Sequence, residues 1–135
     1  MTTPEPTAPL ETTRLPKDQL ENYFDRFTRR FLLRESTTAI DVEVLSPDLG
    51  DQFEAERAHL FGITYDPRGD ALDFEFQGGD HRIPKPKEVW VAEDRDGFVK
   101  AIEVVRDDGT REVARLARMT VAPSGSTPES EKGTP

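Results

Sequence analysis

From residue 38 onward the chain alternates apolar and charged side chains with a period of two, and that rhythm commits most of it to sheet. Ile40, Val42 and Val44 alternate with Asp41 and Glu43, and Leu72, Phe74 and Phe76 alternate with Asp73 and Glu75. A period of two sends successive side chains to opposite faces of a pleated strand, so each run expects one buried face and one wet face. Residues 89–91, 98–105 and 112–116 are further strand candidates. The runs are separated by turn chemistry: Asp66-Pro67-Arg68-Gly69-Asp70, Gly78-Gly79-Asp80, Asp94-Arg95-Asp96-Gly97 and Asp107-Asp108-Gly109-Thr110. Short runs joined by such tight turns favour antiparallel hairpins over parallel crossovers, which need a dozen or more connecting residues.

Ahead of the strands the period changes. Leu20, Phe24, Phe27 and Phe31 recur at helical spacing with Tyr23 beside them, and Pro16 suits a first turn where its missing N–H costs nothing. Asp18 and Glu21 stand early in this segment, Arg26, Arg29, Arg30 and Arg34 late, as the helix macrodipole favours. That match accounts for the arginines as a solvated face; the competing reading is an anion-binding face. Residues 46–61 carry mixed signals. Leu49, Phe53 and Leu60 sit near helical spacing, yet Gly50 interrupts the first turn and Phe53 and Ala55 alternate with Gln52, Glu54 and Glu56, which favours a strand. The expected class is α+β: one N-terminal amphipathic helix on a curled, mainly antiparallel sheet of five or six strands, approaching a small, partly open barrel.

With 135 residues a single domain is expected. Residues 1–14 and 120–135 are rich in Pro, Thr, Ser and Glu and lack the apolar surface to offset ordering entropy, so they read as disordered tails around a globular domain at 15–119. The absence of cysteine excludes disulfides, thiolate metal sites and thiol nucleophiles. No apolar run approaches the roughly 20 residues that span a bilayer, and the first residues have neither a basic start nor an apolar stretch, so a soluble, cytoplasmic protein is expected. Charge is concentrated: residues 36–81 hold 11 acidic side chains against Arg57 and Arg68, a local −9 that equals the net charge of the chain. Such a surface repels phosphate backbones and attracts cations or basic partners, which argues against nucleic acid.

Chemistry has few carriers here. His81 follows Asp80 just after a glycine turn, and with Asp51, Glu54 and Glu56 it could offer oxygen and nitrogen ligands to a divalent cation, or act as a general base oriented by Asp80. The spacing matches no established metal motif, and neighbours on a strand point to opposite faces, so local packing is the simpler account. No cofactor is otherwise predicted. Lys85 and Lys87, interleaved with Pro84 and Pro86, make a basic extended run that would protect a sheet edge or dock an acidic partner. Trp90, the only tryptophan, points opposite to Val89 and Val91; core packing is the default, and an exposed ring would mark a partner surface.

The order of several motifs carries a resemblance: Leu49-Gly50-Asp51-Gln52-Phe53-Glu54-Ala55-Glu56, then Gly62-Ile63-Thr64-Tyr65-Asp66-Pro67, then Asp80-His81 and Glu88-Val89-Trp90-Val91. Together with Phe24-Asp25-Arg26-Phe27 and Asp108-Gly109-Thr110-Arg111-Glu112, they resemble a bacterial family, domain-of-unknown-function family 5335, across roughly residues 15 to 118. The resemblance implies a small bacterial single-domain protein and no transferable reaction. If that family has a polar site, its matching positions are Asp51, Gln52, Glu54, Glu56, Asp80 and His81. The sequence thus favours a non-catalytic binding or regulatory domain that self-associates or docks a protein partner. The alternative is a small metal-dependent enzyme or hydrolase built on Asp80 and His81.

Overall fold

The computed structural model describes residues 11–33, 38–46 and 50–118. Among these, eight strands form one antiparallel sheet: β1 (Glu11–Leu15), β2 (Thr38–Ser46), β3 (Gly50–Asp66), β4 (Ala71–Phe76), β5 (Gly79–Pro84), β6 (Pro86–Glu93), β7 (Val99–Arg106) and β8 (Arg111–Arg118). Their order across the sheet is β1-β6-β7-β8-β2-β3-β4-β5. The one α-helix, α1 (Leu20–Phe27), follows β1. The antiparallel α+β class therefore holds, with two corrections. There are eight strands rather than five or six, and the helix is not the first element; the sheet stays open, with β1 and β5 as its edges.

The two strands beyond expectation, β1 and β5, are the two edges. An edge strand pairs on one side only and needs fewer buried side chains, so its pattern is faint. Of residues 12–15 in β1 only Leu15 is buried, and in β5 only Ile83. β1 takes its register from β6, Leu15 opposite Val89 and Thr13 opposite Val91. It starts inside the stretch expected as an N-terminal extension; residues 1–10 and 119–135 lie outside the described residues.

The core is the product of the two periodicities. Leu20, Phe24, Phe27 and Phe31 are buried from the helical segment. From the sheet come Ile40, Val42, Leu72, Phe74, Val89, Val91, Ile102, Val104, Ala114 and Leu116, every second residue of their strands. Each fully buried side chain of this size contributes on the order of 2 kcal/mol against exposure. Phe27, Phe31 and Phe98 form an aromatic triangle with centroids 5.2–5.6 Å apart, and the Arg118 guanidinium lies 4.4 Å from the Phe98 centroid.

The strand β3 is the long spine. Its first part pairs with β2 as far as His59, and its second part, from Leu60, with β4. Register shifts occur between the β2 positions Ile40/Val42 and Val42/Glu43, and again in β3 between Leu60 and Gly62. Arg57 sits at one of them with a φ of 50°, its amide donating to Asp41 Oδ1 at 2.6 Å. Each bulge adds one residue to one strand and moves the buried phase by one. Buried positions in β3 accordingly run Ala55, then Leu60, then Ile63 and Tyr65.

Among the described residues no strand flanks β3 on the β2 side past His59, and the helical segment packs there. The Thr28 hydroxyl accepts from the Ile63 amide at 3.1 Å and donates to the Ile63 carbonyl at 3.0 Å. After α1 the helix widens into a single π-turn, Thr28–Leu32, closed by the Leu33 amide on the Thr28 carbonyl at 3.0 Å. Wide turns of this kind are uncommon and recur at functional sites.

Candidate functional site

Two places concentrate polar chemistry. The first lies across the interior of the curl. His81 shares its strand phase with buried Ile83 and stands opposite Phe74, so it faces inward, whereas Asp80 is exposed opposite Glu75. Along β8, Glu112, Ala114 and Leu116 are all buried, so Glu112 occupies a core-facing position and is only 2% exposed. The curl brings the two together. His81 Nε2 lies 2.5 Å from Glu112 Oε1, Arg106 Nη1 donates to Glu112 Oε2 at 3.3 Å, and His81 Nδ1 stands 3.8 Å from Glu54 Oε1. Arg106 also reaches Asp108 at 3.5 Å.

This arrangement replaces the Asp80–His81 pair. The carboxylate holding the imidazole is Glu112, 31 residues downstream, because neighbouring strand residues diverge. A charged residue in the apolar phase of 112, 114 and 116 was the sequence signal for it. Of the other candidates, only Glu54 comes near His81; Asp51 and Glu56 are exposed. Among the described residues no three His, Asp or Glu side chains are grouped to hold a metal ion. Both ring nitrogens of His81 face carboxylates of the fold itself. The cluster acts first as a cross-link between β5 and β8.

The second place is a groove of 730 Å³ along the helical segment, lined by Tyr23, Arg26, Phe27, Arg29, Arg30, Phe31 and Leu33, with Glu93 and Gly97 opposite. The 3.6-residue period that buries Leu20, Phe24, Phe27 and Phe31 turns Arg26, Arg29 and Arg30 outward. Arg30 is engaged: its guanidinium donates to the Asp96 carbonyl at 3.1 Å and lies 4.8 Å from the Phe31 centroid. Tyr23 donates its hydroxyl to Glu93, and burial together with that bond holds its phenol well above the usual tyrosine range. The one carboxylate of the groove is thus occupied. Arg26 and Arg29 have no acidic partner among the described residues. Leu33, 67% exposed, forms an apolar rim. Arg34 lies outside the described residues.

Trp90 stands on the face opposite the buried Val89 and Val91, between Arg14 and Glu103 in register, with its indole N–H on Glu88 at 3.0 Å. It is half-buried and outside the core. Lys85 links β5 to β6 at a φ of 49°; its amide bonds to the Asp70 carbonyl, and its side chain and that of Lys87 are exposed. Neither the tryptophan nor the lysines border the groove.

A model of a family of unknown function, DUF5335, matches residues 11–124, the whole sheet and helix together. The chain belongs to that family. An uncharacterized protein of Aquifex aeolicus (strain VF5) is 38% identical over 108 residues, spanning 79% of this chain and 93% of the relative. No solved structure matches this DUF5335 protein. Among its described residues no helix is long and apolar enough to cross a membrane.

Proposed function

We propose that this DUF5335 protein is a non-catalytic binding domain whose site is the groove along α1, and that its ligand joins an anionic group to an apolar one. The observation that carries this reading is the pair Arg26 and Arg29. They are exposed guanidiniums without an acidic partner among the described residues, beside an apolar wall of Phe27, Phe31 and Leu33, on a chain whose net charge is −9. Guanidinium forks suit carboxylate or phosphate oxygens, and the concave apolar wall supplies area for the rest of the ligand. The π-turn that shapes the wall supports the same reading. The His81 cluster lies outside this groove, so the concavity and the titratable cluster do not coincide as an active site would require.

Anilinonaphthalene sulfonate, an anion on aromatic rings, is a suitable probe. Its fluorescence should titrate to a single saturable site in the folded protein. Arg26→Glu with Arg29→Glu should weaken that site by about tenfold or more, equal to some 1.4 kcal/mol. An unchanged titration in the double variant would remove the groove as the site, as would no saturable binding in a parent that sediments as a single copy.

A further inference from the structure

Resting on the groove reading, we infer that the groove's partner is a second copy of this chain, which docks the described outer part of its β3, Asp51 to Glu56. That part carries what the groove lacks. Asp51 and Glu56 are exposed in the first part of β3, and Phe53 between them is 53% exposed. An aromatic flanked by carboxylates meets an apolar wall flanked by guanidiniums, so charge and shape chemistry match in kind. Buried aromatic and arginine side chains are also the usual anchors of protein interfaces.

The same chain cannot easily make this contact with itself. Its helical segment is anchored through Thr28 to Ile63, and Phe53 lies ten residues further up the same strand, roughly 30 Å of extended chain away. Two copies satisfy each other reciprocally, each giving one β3 segment and receiving one, and that exchange closes as a two-fold pair.

Sedimentation velocity on the full chain tests the idea through charge exchange. The parent should sediment as a two-copy species. A groove-reversed variant (Arg26→Glu, Arg29→Glu) and a β3-reversed variant (Asp51→Lys, Glu56→Lys) should each sediment as single copies, and so should Phe53→Ser. An equimolar mixture of the two reversed variants should restore the two-copy species, since each then meets its opposite. Should a reversal unfold the chain by circular dichroism, Arg26→Gln with Arg29→Gln takes its place, with loss of association again expected. A parent that remains a single copy at every concentration overturns the inference, as does association that survives the groove changes, or a mixture that stays dissociated. The fluorescent probe separates the two levels. Arginine-dependent probe binding by a single-copy parent leaves the groove standing and removes only the second copy, whereas absence of both removes both.

Discussion

Tyr65 shows what one side chain sets at the turn that ends β3. It is 4% exposed, and its hydroxyl donates to Asp70 Oδ1 at 2.7 Å, while Lys17 reaches the same oxygen at 2.9 Å. Burial first, then the bond to Asp70, push the Tyr65 phenol up to about 12. The same contacts, from Lys17 first and Tyr65 second, hold the Asp70 carboxyl below its ordinary range. The signs are opposite. Tyr65 favours the folded state fully below pH 10, and that contribution is lost as pH rises through 12. Asp70 favours it above the ordinary aspartate range, and that contribution is lost as pH falls through its lowered value. Tyr65→Phe should cost about 1 kcal/mol at neutral pH. It should also remove part of the alkaline fall in denaturant midpoint between pH 10 and 12. Parallel alkaline curves for parent and variant would refute the assignment.

At the scale of elements, the instructive contact is that of the helical segment with the second part of β3. Thr28→Val keeps the shape but orphans the Ile63 amide and carbonyl, so a loss of about 2–3 kcal/mol is expected, and Thr28→Ser should recover most of it. Equal denaturation midpoints for Val and the parent would show that the hydroxyl is idle. This contact was not legible in the sequence, because Thr28 and Ile63 meet only through the tertiary fold. What was legible follows the periods. The apolar stripe of Leu20, Phe24, Phe27 and Phe31 and five of the strands were readable because burial on one face writes itself into composition. Residues 46–61 gave an ambiguous signal for a physical reason. Bulges near Arg57 and Phe61 move the buried phase, so Phe53, Ala55 and Leu60 never share one alternation. The edge strands β1 and β5 were missed because an edge buries little. Likewise His81 could be singled out, but its partner Glu112 could not be assigned without the curl. The groove arginines were visible in the sequence, but their place beside Phe27, Phe31 and Leu33 was not.

For the molecule as a whole, His81 and Glu112 join the last strand of one end of the sheet to a central strand of the other. Removing one partner strands a buried carboxylate, and such losses are costly, whereas replacing both by apolar groups is often tolerated. His81→Ala should therefore lower stability by about 2–4 kcal/mol. His81→Phe with Glu112→Leu should lose less than the single change. A double variant as damaged as the sum of its parts would show that the two residues act independently. The strand order carries a further consequence, one of timing. Glu11 pairs with Glu93 and Thr38 with Arg118, so β1 and one side of β2 wait for strands made much later. A ribosome would have to release nearly all of the described chain before β2 could meet β8. The sheet is then expected to complete only after β8 has been made, which leaves the early strands dependent on whatever shields them in the interval.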